Sequence, residues 1–233
     1  MRSRPDLLLV AASGLAREVI ALVRSSGSHE LVGVLDDDPA THGTELDGVP
    51  VLGGPAEVDR HPGAMLVLCA GRGVVRRSLA DRLASAGVQD SRYAVVKHPS
   101  VDVPPGCTIG AGSVVLAQVA ITADVRVGRH VVLMPNASLT HDDVLDDFAT
   151  VCAGASLGGS VTVREGAYVG MNVCLREHVE IGPGATIGMG AVVLGDVPAG
   201  QVWAGVPAGP LTSGAPGPDP SGAGRTVREG ARR

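Results

Sequence analysis

The sequence predicts a small parallel α/β domain followed by a parallel β-helix of six-residue rungs. Three observations carry this. Aliphatic residues recur at a fixed spacing of six from Val103 to Val193. Ahead of that run, strand-like and helix-like segments alternate. The composition is rich in turn residues (33 Gly, 16 Pro) and poor in rings, with one Phe, one Trp and two Tyr among 233 residues. A core of Val, Leu, Ile and Ala suits stacked layers of near-identical shape.

The repeat comes first, because a period dictates architecture. In steps of six the chain reads Val103, Ile109, Val115, Ile121, Val127, Leu133, Leu139, Leu145, Val151, Leu157, Val163, Val169, Leu175, Ile181, Ile187 and Val193. Two residues before these positions stand mostly small or β-branched residues, such as Val125, Val131, Ala137, Ala155, Val161 and Ala185. One large and one small inward residue per six describes a short strand and a turn. Three such units close a triangular coil, and coils stack at strand spacing, roughly 4.8 Å. Glycines such as Gly110, Gly128, Gly182 and Gly188 fall at the corners.

The first part reads as strand Leu7–Val10, turn Ala11-Ala12-Ser13-Gly14, amphipathic helix Ala16–Ser25 and strand Leu31–Leu35. Strand Met65–Cys69 and a helix through Leu83 complete it. The predicted boundaries are 1–97 for the α/β domain and 98–211 for the β-helix. Residues 212–233 have Val227 as their only large aliphatic, so a disordered tail is expected there.

Several classes are excluded or disfavoured. A net charge of −5 does not suit a nucleic-acid surface. No apolar stretch reaches the ~18 residues of a membrane span. Met1–Asp6 leads directly into an apolar strand, which reads as no signal peptide and a cytoplasmic location. The four cysteines (Cys69, Cys107, Cys152, Cys174) show no CxxC spacing and read as reduced, buried small residues.

Three histidines fall within the repeat. His130 and His178 occupy the sixth position of their hexapeptides and read as solvent-facing corners. His141 lies just past inward Leu139, followed by Asp142 and Asp143. An imidazole near its reference pKa of about 6.5 is a suitable proton acceptor, and an adjacent carboxylate can fix its tautomer. A zinc site needs three converging ligands, and the spacings between these histidines do not suit one, so no metal is expected.

Residues 6–210 resemble the hexapeptide-repeat nucleotide-sugar acetyltransferases, including bacillosamine-type N-acetyltransferases and sialic acid O-acetyltransferase relatives. The matching features are Ala11-Ala12-Ser13-Gly14, Leu35-Asp36-Asp37, Cys69-Ala70-Gly71, His98-Pro99-Ser100 and Gly205-Val206-Pro207-Ala208, in that order around the repeat. The resemblance implies a Rossmann-like N-terminal domain, a left-handed helix and a homotrimer with active sites between subunits. It also implies acetyl-CoA as donor and a nucleotide-linked amino sugar as acceptor. His141 matches the family's general base and Asp142 its orienting acid. Gly158-Gly159 match the place of the backbone donor to the oxyanion, with Gly159 the better candidate. For acetyl-CoA the resemblance points to Thr150, Gly159, Met171 and Asn172.

For the nucleotide sugar, Ser13 and Gly14 form a one-glycine turn at a helix N-terminus, which can receive a diphosphate. Asp36 and Asp37 are expected to accept from ribose or base, with Gly71 and Arg72 further contacts. The chain departs from relatives at Leu15 and Thr150, where they carry histidines, which leaves the acceptor and the acyl group open. O-acetylation of a sugar hydroxyl, or a non-catalytic nucleotide-sugar-binding role, are the alternatives.

Overall fold

The structure is a computed structural model that describes residues 4–211; the predicted disordered tail, 212–233, lies outside them. In the first part, β1 (Asp6–Val10), α1 (Gly14–Ser26), β2 (Glu30–Leu35), β3 (Glu45–Leu46), β4 (Val49–Gly53), β5 (Met65–Leu68) and α2 (Gly73–Ser85) follow in sequence. The sheet order is β3-β4-β2-β1-β5, parallel except for the β3–β4 hairpin. Ser13 caps α1 by accepting from the Ala16 N–H at 3.2 Å. Gly27, with φ of 60°, ends the helix by donating to the Val23 carbonyl.

The β3–β4 hairpin was not foreseen. Its turn, Asp47-Gly48, has φ of 46° and 75°. Asp-Gly between apolar runs is a strong hairpin signal, and here it folds β4 back so that Val51 pairs with Val34.

The β-helix consists of two-residue strands every six residues, from Thr108–Ile109 to Val192–Val193. Successive coils pair in parallel at an offset of 18 residues, as Val132 with Thr150 and Thr150 with Tyr168. This makes three flat faces, here called first (Val114, Val132, Thr150, Tyr168), second (Ala120, Ser138, Ser156, Cys174) and third (Arg126, Val144, Thr162, Glu180). The helix is left-handed. Strand β6 (Val96–Lys97) pairs with Val114–Val115 and joins the two parts. At the other end, Val202–Gly205 extends the first face and forms a hairpin with Ala208–Pro210.

The period of six is realised with both inward positions filled: Leu133, Val131, Leu139 and Ala137 are almost fully buried in one continuous core. The run of sixteen is one too long. Val103 is half-buried and outside this core, and Val101 takes an inward place instead. Pro104 and Pro105 offer no N–H for a ladder, so pairing begins at Thr108.

The two parts share a buried seam. At the corner between the third and first faces, α2 approaches so closely that a Cβ on Gly73 would lie 2.1 Å from the Phe148 carbonyl oxygen. Behind it, Arg76 is fully buried. Its Nε donates to the His130 carbonyl (2.8 Å), Nη1 to those of Ala70 (2.8 Å) and Gly71 (2.9 Å). Nη2 donates to the carbonyls of Phe148 (2.8 Å) and Ala149 (3.0 Å) and to Thr150 Oγ1 (3.0 Å).

The solvent-facing expectation for His130 is corrected here. The residue holds its corner, with φ of 53°, but is 2% exposed. It stacks on Phe148 (centroids 5.1 Å, planes at 7°) and meets Tyr93 edge-on at 4.5 Å. The α/β domain covers this corner, which a one-dimensional repeat pattern does not reveal. His178, one of the uncovered corners, is exposed as expected.

Burial pushes the His130 imidazole down to about 4. The unfolded chain therefore binds more protons than the folded one between about pH 6.5 and pH 4. Stability from this residue is complete above that window and is lost as pH falls through it, by about 3 kcal/mol in all. Chemical denaturation at pH 7 and pH 4.5 is expected to show His130→Asn losing less stability than the parent over that interval. Asparagine tolerates the corner backbone, as Asn136 and Asn172 do. Equal pH dependence in both proteins would contradict the assignment.

Candidate functional site

The candidate base sits on the corner between the second and third faces. There the chain turns through Thr140-His141-Asp142-Asp143, with Asp142 at a φ of 63°. His141 Nδ1 and Asp142 Oδ2 are 2.8 Å apart, both side chains largely exposed on the single chain. With the proton on Nδ1 donated to the carboxylate, Nε2 keeps its lone pair for a substrate. One coil on, Gly159 lies directly against the ring: a Cβ there would be 2.3 Å from both Cε1 and Nε2 of His141. The Gly158 N–H is already used in the ladder to Leu175 (2.9 Å), whereas Gly159 contributes its carbonyl to His178 N–H (2.9 Å). Of the two glycines, Gly159 is the one that packs on the imidazole edge.

A carboxylate that sequence reasoning passed over lies beneath this turn. Asp143 is fully buried. Its Oδ2 accepts from the Thr140 N–H (2.8 Å) and its Oδ1 from the Val161 N–H of the next coil (2.9 Å). Burial raises its carboxyl to about 6, opposed by the two N–H donors and the nearby His141. Holding it ionised at neutral pH costs the fold about 3 kcal/mol relative to an unfolded aspartate. The signal was present in the repeat, since Asp143 occupies an inward position that nearby six-residue repeats give to Ala137, Ala149 and Ala155.

Two of the nucleotide-sugar candidates, Gly14 and Gly71, lie elsewhere. The carboxyl ends of β1 and β5 open on a cleft of about 290 Å³ against the first face, lined by Gly14, Leu15, Glu18, Gly71, Thr150, Tyr168 and neighbours. This is where open parallel sheets receive ligands. Space is open where side chains on Gly14 or Gly71 would begin, so a ligand can approach the α1 N-terminus. Leu15 contributes an apolar wall. Glu18 is held above the usual carboxylate range by partial burial. Tyr168 is pushed up to about 12 by burial, with a further rise from its hydrogen bond to Cys152.

Other candidates are engaged within the chain. Ser13 Oγ caps α1 and donates to the Cys69 carbonyl. Asp36 accepts from the N–H groups of Ala12 (2.5 Å) and Asp38 (2.8 Å), bracing the turn above the cleft. Asp37 forms a two-bond pair with Arg82 (2.6 and 2.8 Å), which lowers its pKa. Arg72 lies exposed at the N-cap of α2. Thr150 donates to the Gly71 carbonyl (3.1 Å) and accepts from Arg76. It thus lies at the bottom of the cleft, not beside His141.

Met171 and Asn172 occupy the corner between the first and second faces, both exposed. On one chain they are separated from His141 and Gly159 by the width of the second face, whose outward residues are the small Ser138, Ser156 and Cys174. The cleft lies across that same width. Cys174 is exposed and Cys107 half-buried, which corrects the expectation of four buried thiols; all four are free. The three repeat histidines do not converge, and among the described residues no three His, Cys, Asp or Glu side chains form a metal-holding group.

Comparison with known proteins bears on both parts. Residues 6–83 match the PglD N-terminal domain and residues 160–195 the bacterial transferase hexapeptide (six repeats). The fold superposes with a TM-score of 0.82 on perosamine N-acetyltransferase from Caulobacter crescentus, a histidine-to-asparagine variant solved with CoA and GDP-perosamine. Identity is 28%, over 89% of this chain and 97% of that one. The acetyltransferase domain of PglB from Neisseria gonorrhoeae FA1090, in complex with acetyl coenzyme A, gives 0.80 at 29% identity, covering 90% and 100%. Among curated proteins, UDP-3-O-acylglucosamine N-acyltransferase of Caulobacter sp. (strain K31) is 34% identical over 104 residues, 45% of this chain. That match spans only 25% of the relative's length.

Proposed function

We propose that this chain, which resembles the hexapeptide-repeat nucleotide-sugar acetyltransferases, transfers an acetyl group from acetyl-CoA to the amine of a nucleotide-linked amino sugar. The single observation that carries the reading is the His141–Asp142 pair laid on Gly159. A base with a free Nε2 and a backbone amide meet on one exposed corner. Support comes from relatives solved with CoA and GDP-perosamine or with acetyl coenzyme A.

In this reading the acceptor nitrogen attacks the thioester carbon while Nε2 of His141 takes its proton. Asp142 favours the imidazolium that results. The carbonyl oxygen, negative in the tetrahedral intermediate, accepts from the Gly159 N–H. The C–S bond then breaks and the imidazolium returns its proton to the departing thiolate, so the products are the amide and free CoA. The nucleotide lies in the cleft at Gly14 and Gly71, with its diphosphate at the α1 N-terminus, and the pantetheine arm runs past Met171 and Asn172.

Base, cleft and donor corner lie on different edges of one chain, and a homotrimer resolves this by setting His141 of one copy opposite the cleft of another. The reaction is assigned to the cytoplasm, a compartment that keeps the four free thiols reduced. No helix among the described residues is long and apolar enough to cross a membrane.

The test is thiol release from acetyl-CoA in the presence of UDP-, GDP- and dTDP-linked amino sugars, GDP-perosamine included, beside their hydroxyl counterparts. Turnover with an amino sugar is the expected result. Turnover only with a hydroxyl acceptor would reassign the reaction as O-acetylation, and none with any acceptor would remove the enzymatic reading.

A further inference from the structure

We propose that Asp143 is a positioning residue for this transfer: its buried carboxylate fixes the turn that presents His141 and sets a compensating negative charge behind the imidazole. The proposal rests on the reading of His141 as the base.

The argument begins with what the fold prefers. Inward small positions recur every six residues, and around position 143 they hold Val125, Val131, Ala137, Ala149, Ala155 and Val161, all buried. Nothing in stacking a coil calls for a carboxylate there. Ser113, also buried in this row, shows what a polar side chain does for the stack, its Oγ accepting from the Val131 N–H of the next coil at 3.0 Å. Asp143 makes the equivalent bond to Val161 with Oδ1. The second oxygen does something the serine does not. Oδ2 reaches back along its own coil to the Thr140 N–H, closing the turn that carries His141 and Asp142.

The carboxylate thus ties the coil of the base to the coil that begins beyond Gly159, and braces the turn between. The charged groups acting on it are His141 and Asp142 on its own turn. The coils packed on either side present Val125 and Val161, which are apolar. A buried negative charge this close to His141 favours the imidazolium formed when the amine loses its proton, and is retained although an alanine would pack without the burial cost.

Two substitutions separate position from packing. Asp143→Ala installs the small residue that the neighbouring repeats at Ala137 and Ala149 use. Asp143→Ser keeps the bond to Val161 in the manner of Ser113 but removes the charge and the brace to Thr140. Both are assayed beside His141→Asn, with acetyl-CoA and the panel acceptor that the parent protein turns over fastest. The expected result is a fall in kcat of at least about tenfold for both Asp143 variants, with KM for acetyl-CoA unchanged and a Tm equal to or above the parent's. The acid limb of the parent kcat–pH profile carries the Asp143 ionisation near pH 6, and this component is absent from both variants.

Parent-like kcat in Asp143→Ala, or full rescue by Asp143→Ser, overturns the proposal while His141→Asn remains inactive. A retained acid-limb ionisation overturns it too. If neither variant folds, the carboxylate is a requirement of the stack and the proposal falls. Retained turnover in His141→Asn instead overturns the reading of the base itself.

Discussion

Replacing His141 by asparagine is expected to lower kcat by two to four orders of magnitude, the range removed when a positioned general base is lost. Asparagine keeps a polar side chain that Asp142 can meet, but offers no nitrogen that accepts a proton at neutral pH. The ring is largely exposed and takes no part in the buried core. Thermal stability is therefore expected to change by less than about 0.5 kcal/mol, and KM for acetyl-CoA to change little. Steady-state kinetics with parallel thermal denaturation check both halves. A fall in kcat below tenfold, with the fold intact, would leave the imidazole without the role assigned to it.

The second large effect is on stability. Arg76→Met is expected to destabilise the protein by about 3–5 kcal/mol, a drop in Tm of roughly 10 °C. The methionine fills much of the space but donates nothing. The carbonyls of His130, Phe148, Ala149, Ala70 and Gly71 then lose the donor that holds them at the seam between the two parts. Burial lowers the guanidinium only to about 10, so the residue is charged at neutral pH. Its charge is met by a fan of oxygens without a carboxylate. Arg76→Lys is expected to recover part of the loss, since an ammonium has three donors for six acceptors. A methionine variant melting within about 2 °C of the parent would show that water replaces the guanidinium at no net cost. Because Gly71 and Thr150 line the cleft and also bond Arg76, the same variant is expected to weaken acceptor binding.

The β-helix was legible because each coil contacts only its neighbours, so the local pattern is the global one. The large and small inward positions, the corners and the corner position of His141 all follow from counting in sixes. The strands and helices of the α/β domain followed from apolar runs and caps. The Asp47-Gly48 hairpin and Asp143, a carboxylate in an apolar row, were equally readable signals but were passed over.

Tertiary structure decided what happens where one part covers another. His130 and His178 hold the same place in the repeat, yet one is buried under Tyr93 and α2 while the other faces solvent. Arg76 stands on the face of α2 that carries Leu79 and Leu83; beyond the Ala70 and Gly71 carbonyls just ahead of the helix, its partners lie 54 to 74 residues away on the β-helix. Asp37 is committed to Arg82 for a similar reason. A repeat encodes contacts at a fixed separation, whereas docking two surfaces brings together residues whose separations share no period, and only packing in three dimensions settles which groups lose water there.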